Sequence, residues 1–265
     1  MSQTHDHDGS LGLRTMVSTV LTTVAGFLAL WLVLDRSAAW LGSTRGEWGL
    51  IVCAAVLVCA IGVECLLSRR TPRAAMQALG LRAPRRRALA WTVAVCAALL
   101  ALLPLFSAAT GSTLELRADA AVLALGMFAQ GGIAEEVVFR GFLFRRLREG
   151  RSFRRAAVLS ALPFVAVHVP LLHSLGAAVG LASIAVAVSL SFPLAWLFDR
   201  SGGSVWPSAI VHAVVQGAIK LVDAGDAFMP LALAWMGASA VAPWLFFFLL
   251  REPRTTTIEI TPCPR

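Results

Sequence analysis

Residues 48–68 read WGLIVCAAVLVCAIGVECLLS, a run of 21 with a single ionisable group, Glu64. A helix of about 20 residues spans roughly 30 Å, the thickness of a bilayer's hydrocarbon core, whereas a helix on a soluble protein interleaves polar positions along its outer face. The run reads as a transmembrane helix. Comparable runs occupy 16–34, 88–109, 120–139, 156–173, 174–198, 204–222 and 228–250. Together they predict an all-α fold, a polytopic membrane bundle of about eight transmembrane helices. Composition agrees: 58% of the residues are hydrophobic and 14% charged, against about 25% charged in an ordinary soluble domain, and mean hydropathy is +0.76. A soluble fold is excluded, and the length of 265 leaves no room for a sizeable soluble domain.

The net charge of +8, from 23 basic and 15 acidic residues, looks at first like a nucleic-acid signal. Position decides otherwise. Arg69, Arg70, Arg73, Arg82, Arg85, Arg86 and Arg87 form one cluster, and Arg140, Arg145, Arg146, Arg148, Arg151, Arg154 and Arg155 another, each beside apolar runs. Clusters so placed mark cytoplasmic loops. They predict a multi-pass protein of the cell (inner or plasma) membrane with N- and C-termini cytoplasmic, the lipid bilayer as partner and no nucleic acid. The opposite loops, 35–47, 110–119 and 223–227, hold only Arg36, Arg45 and Arg117.

The chain then divides into a cytoplasmic tail 1–15, transmembrane helices over 16–118 with the basic loop 69–87, a core over 119–222, and a last helix with a cytoplasmic tail over 223–265. Loop 69–87 is expected to lie on anionic lipid with a short amphipathic helix. Pro163, Pro170, Pro193, Pro207 and Pro243 fall within or near spans, where they would kink helices. The first run, Met16 to Leu34, is longer than a signal-peptide core and reads as a retained helix. The cysteines form neither a disulfide framework nor a metal pair, and His5-Asp6-His7-Asp8 reads as a polar tail rather than a metal site.

The informative residues are polar groups that lipid does not tolerate: Glu64, Glu135, Glu136, Arg140, His168, His173, His212, Gln216 and Lys220. Glu64, beside Arg69 and Arg70, and Lys220, near a helix end, can reach the interface along their own stems. His173 sits at an expected tight turn and reads as interfacial. Glu136 and Arg140 are i,i+4 neighbours in the favourable acid-before-base order, while Glu135 is rotated from Arg140 by about 140°. Arg140 therefore pairs with Glu136, and Glu135 points towards other helices, placed for general acid–base work. At 1.5 Å per residue Glu135, His212 and His168 lie roughly 7, 12 and 18 Å from the inner ends of their runs, so the three can meet. A structural ion-pair cluster at the inner interface explains the same Glu-Glu-Arg residues, and both readings stand on spacing alone.

Three motifs in order, Glu135-Glu136-x-x-x-Arg140, Phe164-x-x-x-His168 and, after Trp206-Pro207-Ser208, His212-x-x-x-Gln216, resemble the CPBP family of intramembrane proteases. That family takes in the type II CAAX prenyl endopeptidases and the bacteriocin-processing or immunity-associated Abi proteins. The resemblance covers about 120–220 and makes 119–222 a CPBP-like catalytic core. It implies a membrane-embedded, glutamic-type CAAX endopeptidase. Glu135 would activate the attacking water, with His168 holding that water or the Glu. Arg140 would stabilise the Glu-rich site, with Glu136 as its partner, and His212 with the residue at 216 would stabilise the oxyanion. The family usually has Asn where this chain has Gln216, which keeps the carboxamide donor but adds a methylene. Glu135, His168 and His212 could also form a three-ligand zinc site, but no HExxH is present, and the mechanism without a cofactor is the favoured expectation.

The expected substrate is a membrane-anchored or lipidated protein or peptide. Because the Arg clusters look bacterial, a bacteriocin or a C-terminal sorting helix is a better guess than a CAAX tail. The alternatives are a zinc-dependent version of the same protease, a non-catalytic bacteriocin-immunity or scaffold protein, and a proton-coupled transporter with Glu135 and the two His as a relay.

Overall fold

The computed structural model describes residues 6–41, 48–174 and 176–251. His5, Arg45 and the C-terminal tail from 252 onward, all of which figured in the reading above, lie outside the described residues. The fold is a helical bundle: α1 (Asp6–Trp40), α2 (Gly49–Ser68), α3 (Pro72–Ala78), α4 (Arg86–Thr110), α5 (Ala120–Arg148), α6 (Phe153–Ala166), α7 (Ala177–Arg200), α8 (Trp206–Gly217) and α9 (Phe228–Val241). Among the described residues, seven helical segments are long and apolar enough to cross a membrane. Large apolar side chains such as Leu21, Val58, Leu66 and Leu162 are exposed on the outside, as a lipid-facing surface requires.

α5 is the axis of the bundle. Its apolar window is 67% buried, against 22–44% for the other six. The apolar run predicted over 120–139 stops where charge begins, yet the helix continues to Arg148, so Arg140, Arg145 and Arg146 are not loop residues. Each has a carboxylate partner that makes burial tolerable. Glu64 supplies one of them: instead of reaching the interface it is completely buried, accepting from Arg145 Nη2 at 2.8 Å, Arg146 Nη2 at 2.9 Å and Ser68 Oγ at 3.0 Å. Arg70 Nη1 stands 3.5 Å away, whereas Arg69 takes the left-handed conformation (φ 51°) that ends α2. α5 begins just after Asp119. Hydrogen bonds and charge from the Arg117 guanidinium hold the exposed Asp119 carboxyl below the usual carboxylate range.

Run 204–222 behaves differently from the expectation of a full crossing. α8 has 12 residues, roughly 18 Å at the α-helical rise, and gives way to a 3₁₀ turn (Ala218–Leu221) and a two-residue strand, β2 (Val222–Asp223). β2 pairs antiparallel with β1 (Glu115–Leu116), in the register Glu115 to Asp223 and Leu116 to Val222. Trp235 Nε1 donates to Val215 O at 2.8 Å and the Arg117 amide to Leu221 O at 2.9 Å, so carbonyls at this early helix end are met by protein.

The prolines divide by position. Pro163 and Pro193 lie inside helices, but Pro207 starts α8 and Pro243 starts a 3₁₀ turn, where a missing N–H costs nothing. Pro170 lies in the turn between α6 and a short helix, Leu171–Ser174, which leads to Gly176 and α7.

The 69–87 segment contains the expected short helix, α3, capped by Thr71. It is nonetheless fixed to protein rather than laid only on lipid. The Val205 amide donates to Gly80 O (3.0 Å), Ser204 Oγ to Arg82 O (2.8 Å) and the Arg85 amide to Ser201 O (3.0 Å). Gly80 takes φ +84°, and a Cβ on Gly141 would overlap the Leu79 carbonyl oxygen. The segment thus presses Leu79, fully buried, against α5 one residue beyond Arg140.

Candidate active site

Glu135 and Glu136 sit between two π-helical stretches of α5, Phe128–Ala134 and Val137–Phe144. π turns within α-helices are frequent at functional sites, because the widened turn re-aims side chains. The first stretch contains Gly131 and Gly132, and α8 lies close against it. A Cβ on Gly132 would stand 2.9 Å from Ala209 O, a backbone atom. Gly132→Ala is therefore expected to push the two helices apart and destabilise the protein by about 1–3 kcal/mol, measured as a lowered unfolding temperature in detergent.

The expected pair forms: Arg140 Nη1 donates to Glu136 Oε1 at 2.7 Å, with both side chains buried. Spacing did not reveal that the same oxygen accepts from His212 Nδ1 at 2.8 Å. A carboxylate in an ion pair can only accept, so the Nδ1 proton is on His212, and Nε2 is the nitrogen that faces Glu135, 3.8 Å from its Oε2. His168 follows the same logic. Its Nδ1 lies 2.7 Å from Phe164 O, and since a carbonyl only accepts, the proton again sits on Nδ1.

Phe164 is the residue about which the site is arranged. Its ring centroid is 5.0 Å from that of His168 and 5.8 Å from that of His212, and the Arg140 guanidinium carbon lies 4.2 Å above it. Fully buried, the ring gives Arg140 a cation–π partner on one side while Glu136 holds it on the other. The sequence signal for Phe164 was its place four residues before His168; its contact with Arg140 comes from a different helix and left no trace in spacing.

The remaining predicted residues are placed as follows. Gln216, one turn beyond His212 on α8, is partly buried, with Nε2 3.5 Å from Met127 O. Glu135 is nearly buried and lies 13 residues before the end of α5, farther from the helix end than expected from a run ending at 139. His173 and Lys220 are exposed. Among the described residues no group of three or more His, Cys, Asp or Glu is arranged to hold a metal ion. Chemically, the arrangement offers a carboxylate, Glu135, beside an imidazole whose orientation a buried ion pair fixes.

No curated protein and no solved structure matches the chain. Residues 117–218 match the family model described as Type II CAAX prenyl endopeptidase Rce1-like, a stretch that holds Glu135, Glu136, Arg140, His168, His212 and Gln216 and bears out the resemblance to the CPBP proteases.

Proposed function

We propose that the protein is an intramembrane endopeptidase that hydrolyses a peptide bond of a membrane-anchored or lipidated protein or peptide with water activated by Glu135. The observation that carries this reading is the 3.8 Å separation of His212 Nε2 from Glu135 Oε2, with His212 held from behind by Glu136. That span is too long for a direct hydrogen bond and suits two groups that act on one reacting centre between them. Glu135 takes a proton from water as the oxygen bonds to the scissile carbonyl carbon. The Gln216 carboxamide and His212, with its Nδ1–H held by Glu136 and a second proton on Nε2 to donate, stabilise the oxyanion, and Glu135 returns the proton to the amine nitrogen as the C–N bond breaks. Arg140 offsets the charge of Glu136, which leaves Glu135 as the carboxylate that changes protonation. His168 orients the water or Glu135.

The test uses the full-length protein in liposomes with a quenched-fluorescent prenylated CAAX peptide and, in parallel, an acyl-anchored peptide. His168→Ala is expected to lower cleavage by about 10²-fold with the unfolding temperature retained. Exhaustive chelation is expected to leave the wild-type rate unchanged. Loss of activity on chelation, restored by zinc, would instead establish the metal-dependent mechanism. Wild-type-level cleavage by His168→Ala would remove that residue from the site.

A further inference from the structure

The function above leaves Gly131 without a role, although it precedes Glu135 by four residues and lies in the π-helical stretch that ends just before it. A Cβ built on Gly131 would coincide with Nε2 of Gln216 and stand 2.5 Å from its Cδ and 2.9 Å from its Oε1. The end of the Gln216 side chain thus occupies the place where any other residue at 131 would have its first carbon. Gly132, its neighbour, meets the backbone of Ala209 instead. The two glycines therefore do different things: Gly132 admits a helix, and Gly131 admits a carboxamide.

We propose that Gly131 is a positioning residue for Gln216, and that the two form a matched pair. This rests on the reading of Gln216 as an oxyanion donor. Gln is one methylene longer than Asn, so its amide projects farther from α8, and the missing side chain at 131 receives it. The Met127 carbonyl accepts from the seated amide at 3.5 Å. An alanine at 131 takes the amide's position. The displaced atoms are the far end of a flexible side chain, so the helices need not move and the carboxamide swings away from its place one turn above His212. Shortening residue 216 to Asn relieves the overlap and keeps a carboxamide on the same turn.

The experiment compares Gly131→Ala, Gln216→Asn, Gly131→Ala/Gln216→Asn and Gly131→Ala/Gln216→Ala in liposomes with the prenylated CAAX peptide, and by thermal unfolding in detergent. Gly131→Ala is expected to lower kcat by about 10²-fold, the scale of a lost oxyanion donor, with KM within about twofold of wild type, the mark of an interaction made only in the transition state. Adding Gln216→Asn is expected to recover at least about tenfold of that loss by the non-additivity of touching residues, while adding Gln216→Ala recovers none. The proposal is overturned if Gly131→Ala cleaves like wild type, if Gln216→Asn brings no recovery, or if Gly131→Ala does not fold. Should the wild-type protein cleave neither peptide, the proteolytic reading falls and the pair is judged on unfolding temperature alone. A destabilisation by Gly131→Ala that Gln216→Asn relieves upholds the pair, and additive effects overturn it.

Discussion

Glu135→Gln is expected to lower peptide cleavage by about 10³-fold or more while leaving expression, unfolding temperature and the position of His212 unchanged. Gln is isosteric with Glu and keeps a carbonyl oxygen towards His212 Nε2, 3.8 Å from the present carboxylate. What it loses is the capacity to take and return a proton. The structural burden of the site falls on the neighbouring carboxylate, because Arg140 and the His212 Nδ1–H are both bound by Glu136. Function and stability are thus expected to separate between adjacent residues. A scaffold that keeps the motif only for structure predicts the opposite result, cleavage or phenotype unaltered in Glu135→Gln, and the same quenched-peptide assay decides between them.

Glu136→Leu carries the largest expected effect on stability. Removing this carboxylate leaves Arg140 and the His212 Nδ1–H buried without their acceptor, and an uncompensated charge in a dry interior costs about 3–5 kcal/mol. For a chain of this size that corresponds to a fall of roughly 10 °C in unfolding temperature. Glu136→Leu/Arg140→Leu should cost less than Glu136→Leu alone, since replacing both members of a buried pair with apolar groups removes the desolvation cost along with the attraction. Thermal unfolding of the two variants in detergent measures the difference, and a double variant less stable than the single would show that Arg140 contributes chiefly through its contact with Phe164. Cleavage is expected to be lost in both, because His212 is no longer oriented.

The sequence carried these features unequally, according to how far apart the interacting groups lie along the chain. The Glu136 to Arg140 pair was legible because i,i+4 spacing on a helix is local geometry. His212 could be placed on a helix at a compatible depth, but its bond to Glu136 joins residues 76 apart and only the packing of α8 on α5 reveals it. The end of α5 was misread for a physical reason. A run of arginines normally marks the membrane surface, and nothing local shows that a buried Glu64, 81 and 82 residues away, accepts from both Arg145 and Arg146. Likewise, run 204–222 is apolar enough to cross, and its early stop depends on β1, which lies before α5 in the chain. Gly131 reads as an ordinary small residue until the side chain facing it is known.

The two Nδ1 hydrogen bonds bear on a reading that composition had left open. A histidine in a proton wire receives a proton at one ring nitrogen and passes it on from the other. His168 has its Nδ1 against the Phe164 carbonyl, which cannot take up a proton, and His212 has its Nδ1 against a carboxylate already neutralised by Arg140. A proton arriving at Nε2 of either ring can be passed on from Nδ1 only by giving up that hydrogen bond. A relay through these rings would therefore have to remake both hydrogen bonds in every cycle, a cost that proton exchange at Glu135 alone does not carry.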